Sequence, residues 1–168
     1  MENPLSAFAK VKAFVFDVDG VMTAGTVVVA EDGSMLRTVS IRDGYAVQLA
    51  IKLGYRVAII TGGNSAGVQK RFARLGVIDY YSGVQSKKEV YVAYLERHAL
   101  KAEEVLYMGD DIPDYDVMKM AGLAAAPADA CPEILSVSHF VSGQKGGEGC
   151  VRDVIERVLK LNGSWPVA

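Results

Sequence analysis

The sequence predicts an α/β fold, a doubly wound Rossmann-like parallel sheet. Segments typical of strands alternate with segments typical of helices along the chain. Most of the strand segments are apolar throughout, which is the pattern of strands covered on both faces. The 168 residues are the length of one ordinary domain, and they contain no internal repeat or linker. We therefore expect a single domain over residues 1–168, without a separate cap domain.

The first strand is predicted at residues 12–18, KAFVFDV, and a β-hairpin is predicted at about 25–41. In the hairpin, two β-rich runs flank Asp32 and Gly33, a pair typical of tight turns. This antiparallel insertion follows strand 1 directly. On a monomer its apolar runs would be exposed, so we expect the hairpin to pair with other subunits.

The remaining elements follow in alternation. Further strands are predicted at 56–60, 78–83, 104–108, 123–130 and 138–142, and helices at 42–54, 65–75, 86–100, 115–122 and 149–163. Asp43 is the expected N-cap of the first of these helices. The last helix has an apolar face of helical period and is preceded by a Gly-rich segment at about 143–149, which could close as a mobile lid.

Composition excludes several classes of function. Lys and Arg total 18 against 20 for Asp and Glu, and this balance does not favour nucleic-acid binding. No apolar run approaches the ~18 residues that span a bilayer, and the first residues lack a signal-peptide pattern, so no membrane partner is expected. Cys131 and Cys150 fit neither a metal motif nor a disulfide framework. We therefore expect a cytoplasmic protein.

Polar residues collect where four of the predicted strands end. In chain order they are Asp17, Asp19, Thr61, Gly62, Lys87, Asp110, Asp111 and Asp114. The carboxyl ends of parallel strands lie at one edge of the sheet, so these residues should share one crevice. A cluster of carboxylates is costly unless it holds a cation or shifts its protonation. Ligands that are all oxygen favour Mg²⁺ over Zn²⁺.

The same crevice suits a phosphoryl group. Thr61 offers a hydroxyl donor, Lys87 a compact positive charge, and the backbone N–H groups around Gly62 further donors. A carboxylate can attack phosphorus to form an aspartyl-phosphate, and a second carboxylate can transfer protons. The residues thus indicate Mg²⁺-assisted phosphoryl chemistry.

The segments DVDG and GDDIPD, with Thr61 and Lys87 between them, resemble the four motifs of the haloacid dehalogenase superfamily of phosphotransferases. The resemblance implies that Asp17 is the nucleophile and Asp19 the acid and base. It also implies that Thr61 and Lys87 bind the transferring phosphoryl group. The choice of Lys87 over Lys88 rests on this family spacing.

By the same resemblance, Mg²⁺ is held by Asp17, the backbone carbonyl of Asp19 and Asp110. Asp111 and Asp114 would support the metal from further away or through water. From the residues alone, Asp114 could equally cap the following helix.

Three longer segments, IRDGYAVQLA, TGGNSAGVQKRFARLG and GQKGGEGCVRDVIERVL, resemble the capless subfamily that dephosphorylates 3-deoxy-D-manno-octulosonate 8-phosphate in lipopolysaccharide precursor synthesis. The similarity runs from about residue 12 to residue 163. It implies a sugar acid phosphate as substrate and a homotetramer built through the hairpins. It also implies that Arg42, Arg71 and Arg74 face the sugar acid.

Two positions depart from the subfamily pattern. Gly63 stands where octulosonate phosphatases often have Arg, and Glu148 replaces the Arg of a Gly-Gly-Arg-Gly tail. An alternative is therefore the same chemistry on a nonulosonate 9-phosphate. A second alternative is a phospho-accepting receiver module, although its acids are arranged in a different order. A third is a non-catalytic oligomerisation domain, which the complete set of Asp and Lys residues disfavours.

Overall fold

A six-stranded parallel sheet forms the centre of the computed structural model, which describes residues 4–167. The strand order is β5-β4-β1-β6-β7-β8. The strands are β1 (Ala13–Phe16), β4 (Arg56–Ile60), β5 (Asp79–Tyr81), β6 (Val105–Met108), β7 (Leu123–Ala126) and β8 (Phe140–Val141). The predicted fold class is confirmed. The strand β1 is paired along its whole length with β4 and β6, so residues that follow β1 lie at the middle of the sheet.

Seven helices cover the two faces in the described part of the chain. They are α1 (Pro4–Lys10), α2 (Ile41–Lys52), α3 (Ala66–Arg74), α4 (Lys87–His98), α5 (Tyr115–Met120), α6 (Pro132–Val137) and α7 (Cys150–Leu161). Successive strand residues point to opposite faces. Phe14 and Phe16 pack with α1, α2, α3 and α7, while Ala13 and Val15 pack with α4, α5 and α6. Burial on both faces explains the apolar strands in the sequence.

The hairpin consists of β2 (Val28–Val29) and β3 (Met35–Leu36), which pair antiparallel, with a further bridge between Thr23 and Val39. The hairpin lies where the 25–41 interval was predicted, but each of its strands has only two residues. Its four strand residues are all exposed, each by more than half of its surface. The hairpin therefore projects from the sheet and buries no face of its own in this chain.

Asp43 has a different role from the one predicted. Ser40 caps α2, since its Oγ accepts a hydrogen bond from the Asp43 backbone N–H at 3.2 Å. The Asp43 carboxylate is buried and accepts a hydrogen bond from the backbone N–H of Arg152, in the first turn of α7, at 2.7 Å. Burial raises the pKa of Asp43. Asp43 thus joins α2 to α7 rather than capping its own helix.

Two helices, α1 and α6, were not predicted from the sequence. Each is a single short segment, of 7 and 6 residues. Within residues 4–167, none of the helices combines the length and the apolar character that crossing a bilayer requires.

Candidate active site

The loop after β1, which carries Asp17 and Gly20, lies against the Asp110 carboxylate that follows β6. Asp17 follows the last residue of β1, and its backbone N–H donates to the carbonyl of Met108, the last residue of β6. Gly20 then turns the chain with a φ of +89°. A Cβ atom at Gly20 would lie 1.9 Å from Oδ2 of Asp110. Only glycine allows the loop to approach the Asp110 carboxylate this closely.

Lys87 lies at the centre of the charge cluster. Its Nζ is 3.0 Å from Oδ1 of Asp17 and 2.7 Å from Oδ1 of Asp114. The lysine is buried, whereas Lys88 is exposed. The two carboxylates outweigh burial, so the pKa of Lys87 lies above its usual value and the side chain is charged. The structure therefore places Lys87, and not Lys88, within the cluster.

The Asp114 carboxylate is fully engaged by donors. Oδ1 accepts from Lys87 and from the Tyr107 hydroxyl, and Oδ2 accepts from the backbone N–H of Asp110 at 3.3 Å. It makes no capping hydrogen bond to α5, so the alternative of a simple helix cap is wrong. Asp114 fixes Lys87 and the Asp110 backbone in place.

Burial and mutual repulsion perturb the two remaining carboxylates. Burial, followed by the nearby charge of Asp114, raises the pKa of Asp17 to about 7, against the opposing effect of Lys87. Burial and the charge of Asp17 raise the pKa of Asp110 to about 8. Both shifts mean that the charged forms lack sufficient compensation from this chain alone.

Three features of the cluster fit a divalent cation. Oxygens of Asp17, Asp110 and Asp114 lie within 4.8 Å of one another. Oδ1 of Asp110 is buried without a hydrogen-bond partner in the described part of the chain. Three carboxylates and one ammonium leave a formal charge of −2, which one divalent ion balances. An all-oxygen donor set suits a hard ion such as Mg²⁺.

Thr61 is held beside the cluster at the end of β4. Its backbone donates to the carbonyl of Tyr81 and accepts from Val84, and the residue is buried. Its Oγ1 accepts a hydrogen bond from the backbone N–H of Gly63 at 3.1 Å, which leaves the hydroxyl proton to be donated. Thr61 is therefore oriented as a donor.

A cavity of about 300 Å³ opens between these residues. Its lining includes Asp17, Asp19, Thr61, Gly62, Lys87, Asp110, Asp111 and Asp114. The structure thus brings together every strand-end residue predicted from the sequence. Asp111 is exposed, and its Oδ1 accepts from the backbone N–H of Ile112, so it stabilises the turn that leads to Asp114.

Sequence reasoning missed Arg37, which directly follows β3 of the hairpin. Its Nε donates to Oδ1 of Asp19 at 2.6 Å and its Nη2 donates to Oδ2 at 3.2 Å. The signal in the sequence is a single cation within the apolar run MLRTVSI. An isolated charge in such a run requires a partner, but the sequence does not say which one.

The three predicted substrate arginines do not line this cavity. Arg71 lies over α2, with Nη2 2.6 Å from the position of a Cβ on Gly44. Arg74 is exposed at the end of α3. Arg42 lines a separate open groove of about 700 Å³ along α7, together with Glu148. Their contact with substrate stays a prediction.

The Gly-rich segment packs against the loop after β1. A Cβ at Gly146 would lie 2.0 Å from the carbonyl oxygen of Gly20, and one at Gly147 would lie 2.5 Å from the backbone nitrogen of Ala24. The Gly147 N–H also donates to the carbonyl of Val21 at 2.9 Å. In this structure the two glycines act as close-packing residues, and the lid motion stays a prediction.

Comparison with known proteins places this geometry in a family. A model of the haloacid dehalogenase-like hydrolases matches residues 36–122. The 3-deoxy-D-manno-octulosonate 8-phosphate phosphatase of Salmonella typhi is 36% identical over 166 residues, covering 96% of this chain and 88% of the relative. The chain belongs to the haloacid dehalogenase-like hydrolases. The predicted family resemblance is therefore confirmed, and within this family the chain is a phosphatase.

Solved structures of the family give the same picture. The octulosonate 8-phosphate phosphatase of Yersinia pestis superposes with a TM-score of 0.94 at 34% identity, covering 97% of this chain and 88% of that one. The enzyme of Moraxella catarrhalis superposes with a TM-score of 0.93 at 29% identity, covering 98% and 95%. That structure contains magnesium, phosphate and the KDO molecule.

Proposed function

We propose that this phosphatase is Mg²⁺-dependent and hydrolyses 3-deoxy-D-manno-octulosonate 8-phosphate to the free sugar acid and phosphate, as a step in lipopolysaccharide precursor synthesis. The observation that carries the chemistry is the buried Lys87, paired with Asp17 inside a three-carboxylate cluster beside Thr61. The similarity to octulosonate phosphatases over nearly the whole chain supports the substrate. The cytoplasm is the compartment we infer, and two free cysteines support it.

In this proposal Asp17 attacks phosphorus, and the bond to the sugar oxygen breaks as an aspartyl-phosphate forms. Asp19 gives a proton to the leaving sugar oxygen. It then takes a proton from water, whose oxygen attacks phosphorus and releases phosphate with Asp17 restored. Lys87 and Thr61 bind the phosphoryl oxygens, with the Gly62 backbone as a further donor.

The residues proposed to hold Mg²⁺ are Asp17, the backbone carbonyl of Asp19 and Asp110. When bound, the ion supplies positive charge to the phosphoryl oxygens and to the carboxylates. The orphaned Oδ1 of Asp110 supports its place in this set. Asp114 supports the set indirectly, because its oxygens already accept from Lys87, Tyr107 and the Asp110 backbone.

A homotetramer assembled through the hairpins completes the proposal. The exposed apolar side chains of β2 and β3 support it, since such a surface is rare on a monomer. Arg42, Arg71 and Arg74 are the residues proposed to bind the sugar acid. They lie away from the cavity of their own chain, so an assembly in which one subunit serves another fits their positions.

The alternative is the same chemistry on a nonulosonate 9-phosphate. Gly63 and Glu148 keep this alternative open, because both depart from the octulosonate pattern. Membership of a hydrolase family argues against the receiver module and the non-catalytic scaffold.

The test is phosphate release with Mg²⁺ and with chelator across a small panel. The panel contains the octulosonate 8-phosphate, two nonulosonate 9-phosphates, common sugar phosphates and 4-nitrophenyl phosphate. Preference for the eight-carbon acid is the expected result. Preference for a nine-carbon acid would keep the chemistry and reject the substrate. A folded protein that releases phosphate from none of them in Mg²⁺ would contradict the proposed activity.

A further inference from the structure

We infer that Arg37 is a positioning residue for Asp19, so that the hairpin controls proton transfer to the leaving group. The inference rests on the proposed roles of Asp17 and Asp19, and it adds a residue outside the motifs that carry the chemistry.

The contact between Arg37 and Asp19 has the geometry of a two-point clamp. Nε and Nη2 of one guanidinium meet the two oxygens of one carboxylate, at 2.6 and 3.2 Å. A bidentate pair fixes both the position and the plane of a carboxylate, which a single hydrogen bond does not. Arg37 therefore sets the direction in which the Asp19 oxygens point.

The Arg37 and Asp19 side chains differ in how exposed they are to solvent. The Arg37 side chain is 11% exposed, whereas that of Asp19 is 41% exposed and borders the cavity. A largely covered guanidinium is stabilised by a carboxylate, and Asp19 supplies one through two hydrogen bonds. The hydrogen bond to Asp19 is also the main reason that the pKa of Arg37 is raised. The arginine is thus the more covered partner, and Asp19 is the one that borders the cavity.

The two oxygens of Asp19 are not equivalent. Oδ1 is 2.6 Å from Arg37 Nε and 3.5 Å from Thr23 Oγ1, while the one hydrogen bond of Oδ2 among the described residues comes from Arg37 Nη2, at 3.2 Å. A Cβ at Gly63 would lie 3.1 Å from Oδ2 and 4.0 Å from Arg37 Nη2. The absence of a side chain at Gly63 keeps Oδ2 accessible. Oδ2 is therefore the oxygen left for proton transfer.

The two partners of the clamp belong to different elements of the fold. Asp19 lies in the loop that closes on Asp110, whereas Arg37 directly follows a strand of an exposed two-stranded hairpin. Any contact that orders the hairpin, including contact with a second subunit, also orders Arg37. Leaving-group protonation is thereby linked to hairpin order.

The test compares leaving groups in Arg37→Ala, Arg37→Lys and wild type. A sugar phosphate has a poor leaving group that needs a proton, while 4-nitrophenolate leaves without one. We expect Arg37→Ala to lower kcat on the sugar acid phosphate by about 10- to 100-fold, with KM nearly unchanged, because small misplacements of a catalytic group have effects of this size. On 4-nitrophenyl phosphate the first, pre-steady-state release of nitrophenolate should slow by less than about threefold, because this leaving group needs no proton. A loss in its steady-state kcat would report the later hydrolysis of the aspartyl-phosphate, which Asp19 also assists.

Arg37→Lys keeps the charge but not the fork, so its kcat should lie between those of wild type and Arg37→Ala. Arg56→Ala and Arg56→Lys are the matched controls, since Arg56 is exposed at the start of β4, at the other end of the sheet. They should leave both substrates unaffected. Circular dichroism and thermal melting verify that every variant is folded.

Equal slowing of the first turnover on both substrates, or a rise in KM with kcat unchanged, would overturn the inference and make Arg37 a structural or substrate-binding residue. Should wild type hydrolyse other alkyl phosphates but not the octulosonate, the proposed substrate fails, and the same comparison on those alkyl phosphates still decides the role of Arg37.

Discussion

The strand-end cluster and the hairpin both lie near the carboxyl end of β1, but they differ in how far their side chains contact other parts of the chain. In the cluster, Lys87 contacts both Asp17 and Asp114, which lie after different strands. In the hairpin, Val28–Val29 pair with Met35–Leu36, and these four apolar side chains are exposed. The strand-end residues therefore meet within one chain, whereas the apolar surface of the hairpin has no partner among the described residues.

The largest effect should come from breaking the cluster at its nucleophile. Asp17→Asn keeps the shape of the side chain and removes the attacking carboxylate, so phosphate release should fall by at least about 1,000-fold. The control is Asp32→Asn, in the hairpin turn, where the side chain contacts only Ser34 among the described residues and activity should be retained. Normal turnover by Asp17→Asn would remove Asp17 from the mechanism.

The next largest effect should come from Gly20→Ala. The added methyl would collide with the Asp110 carboxylate, and the residue has a positive φ, so we expect the free energy of unfolding to fall by about 2 kcal/mol or more, with a loss of activity. Urea denaturation measures the free energy of unfolding, and phosphate release measures the activity. Gly67→Ala is the control, since it lies exposed in α3 with room for a methyl and should be neutral or slightly stabilising. A Gly20→Ala protein as stable as wild type would show that the close approach is not required.

A change in the hairpin should affect assembly rather than the fold of the chain. Val28 and Leu36 are cross-strand partners, so the double change Val28→Lys and Leu36→Glu keeps a favourable pair while removing two exposed apolar side chains. Sedimentation velocity should show a smaller assembly than wild type, with the protomer still folded. Ile78→Lys, at another exposed apolar residue, should leave the assembly intact. An unchanged oligomer in the double variant would contradict the role of the hairpin.

The smallest effect should come from the link between α2 and α7. Asp43→Ala removes an acceptor from the first turn of α7, and should lower the free energy of unfolding by about 1–2 kcal/mol. Asp43→Asn keeps the acceptor and loses the buried charge, so it should cost less.

The raised pKa of Asp43 also predicts how the free energy of unfolding changes with pH. The folded state holds this proton more tightly than the unfolded state, so its contribution to stability is greatest below the unfolded pKa and is lost as pH rises through the folded pKa. Denaturation of wild type and Asp43→Asn between pH 4 and pH 8 measures this. As the pH rises, Asp43→Asn should lose less of its free energy of unfolding than wild type. If the free energy of unfolding depends on pH in the same way in both proteins, Asp43 does not titrate as inferred.

The sequence predicted the cluster because its signals are local. Apolar runs that end in Asp17, Thr61 and Gly109-Asp110 mark the strands and the residues at their ends, and the parallel order then brings those ends together. The same reasoning could not assign Arg37 to Asp19, because the pair depends on how the hairpin folds back over 18 positions. The role predicted for Asp43 was wrong for a similar reason, because its hydrogen-bond partner, Arg152, is 109 positions away.

The packing of Gly146 and Gly147 against the loop after β1 has a consequence for the order of synthesis. Asp17 and Asp19 are translated long before Gly146 and Gly147, the glycines that support their loop. Until then, the backbone of Gly20 to Ala24 lacks the surface against which it rests. The loop that carries Asp17 and Asp19 therefore reaches its final packing only after the segment with Gly146 and Gly147 has been made.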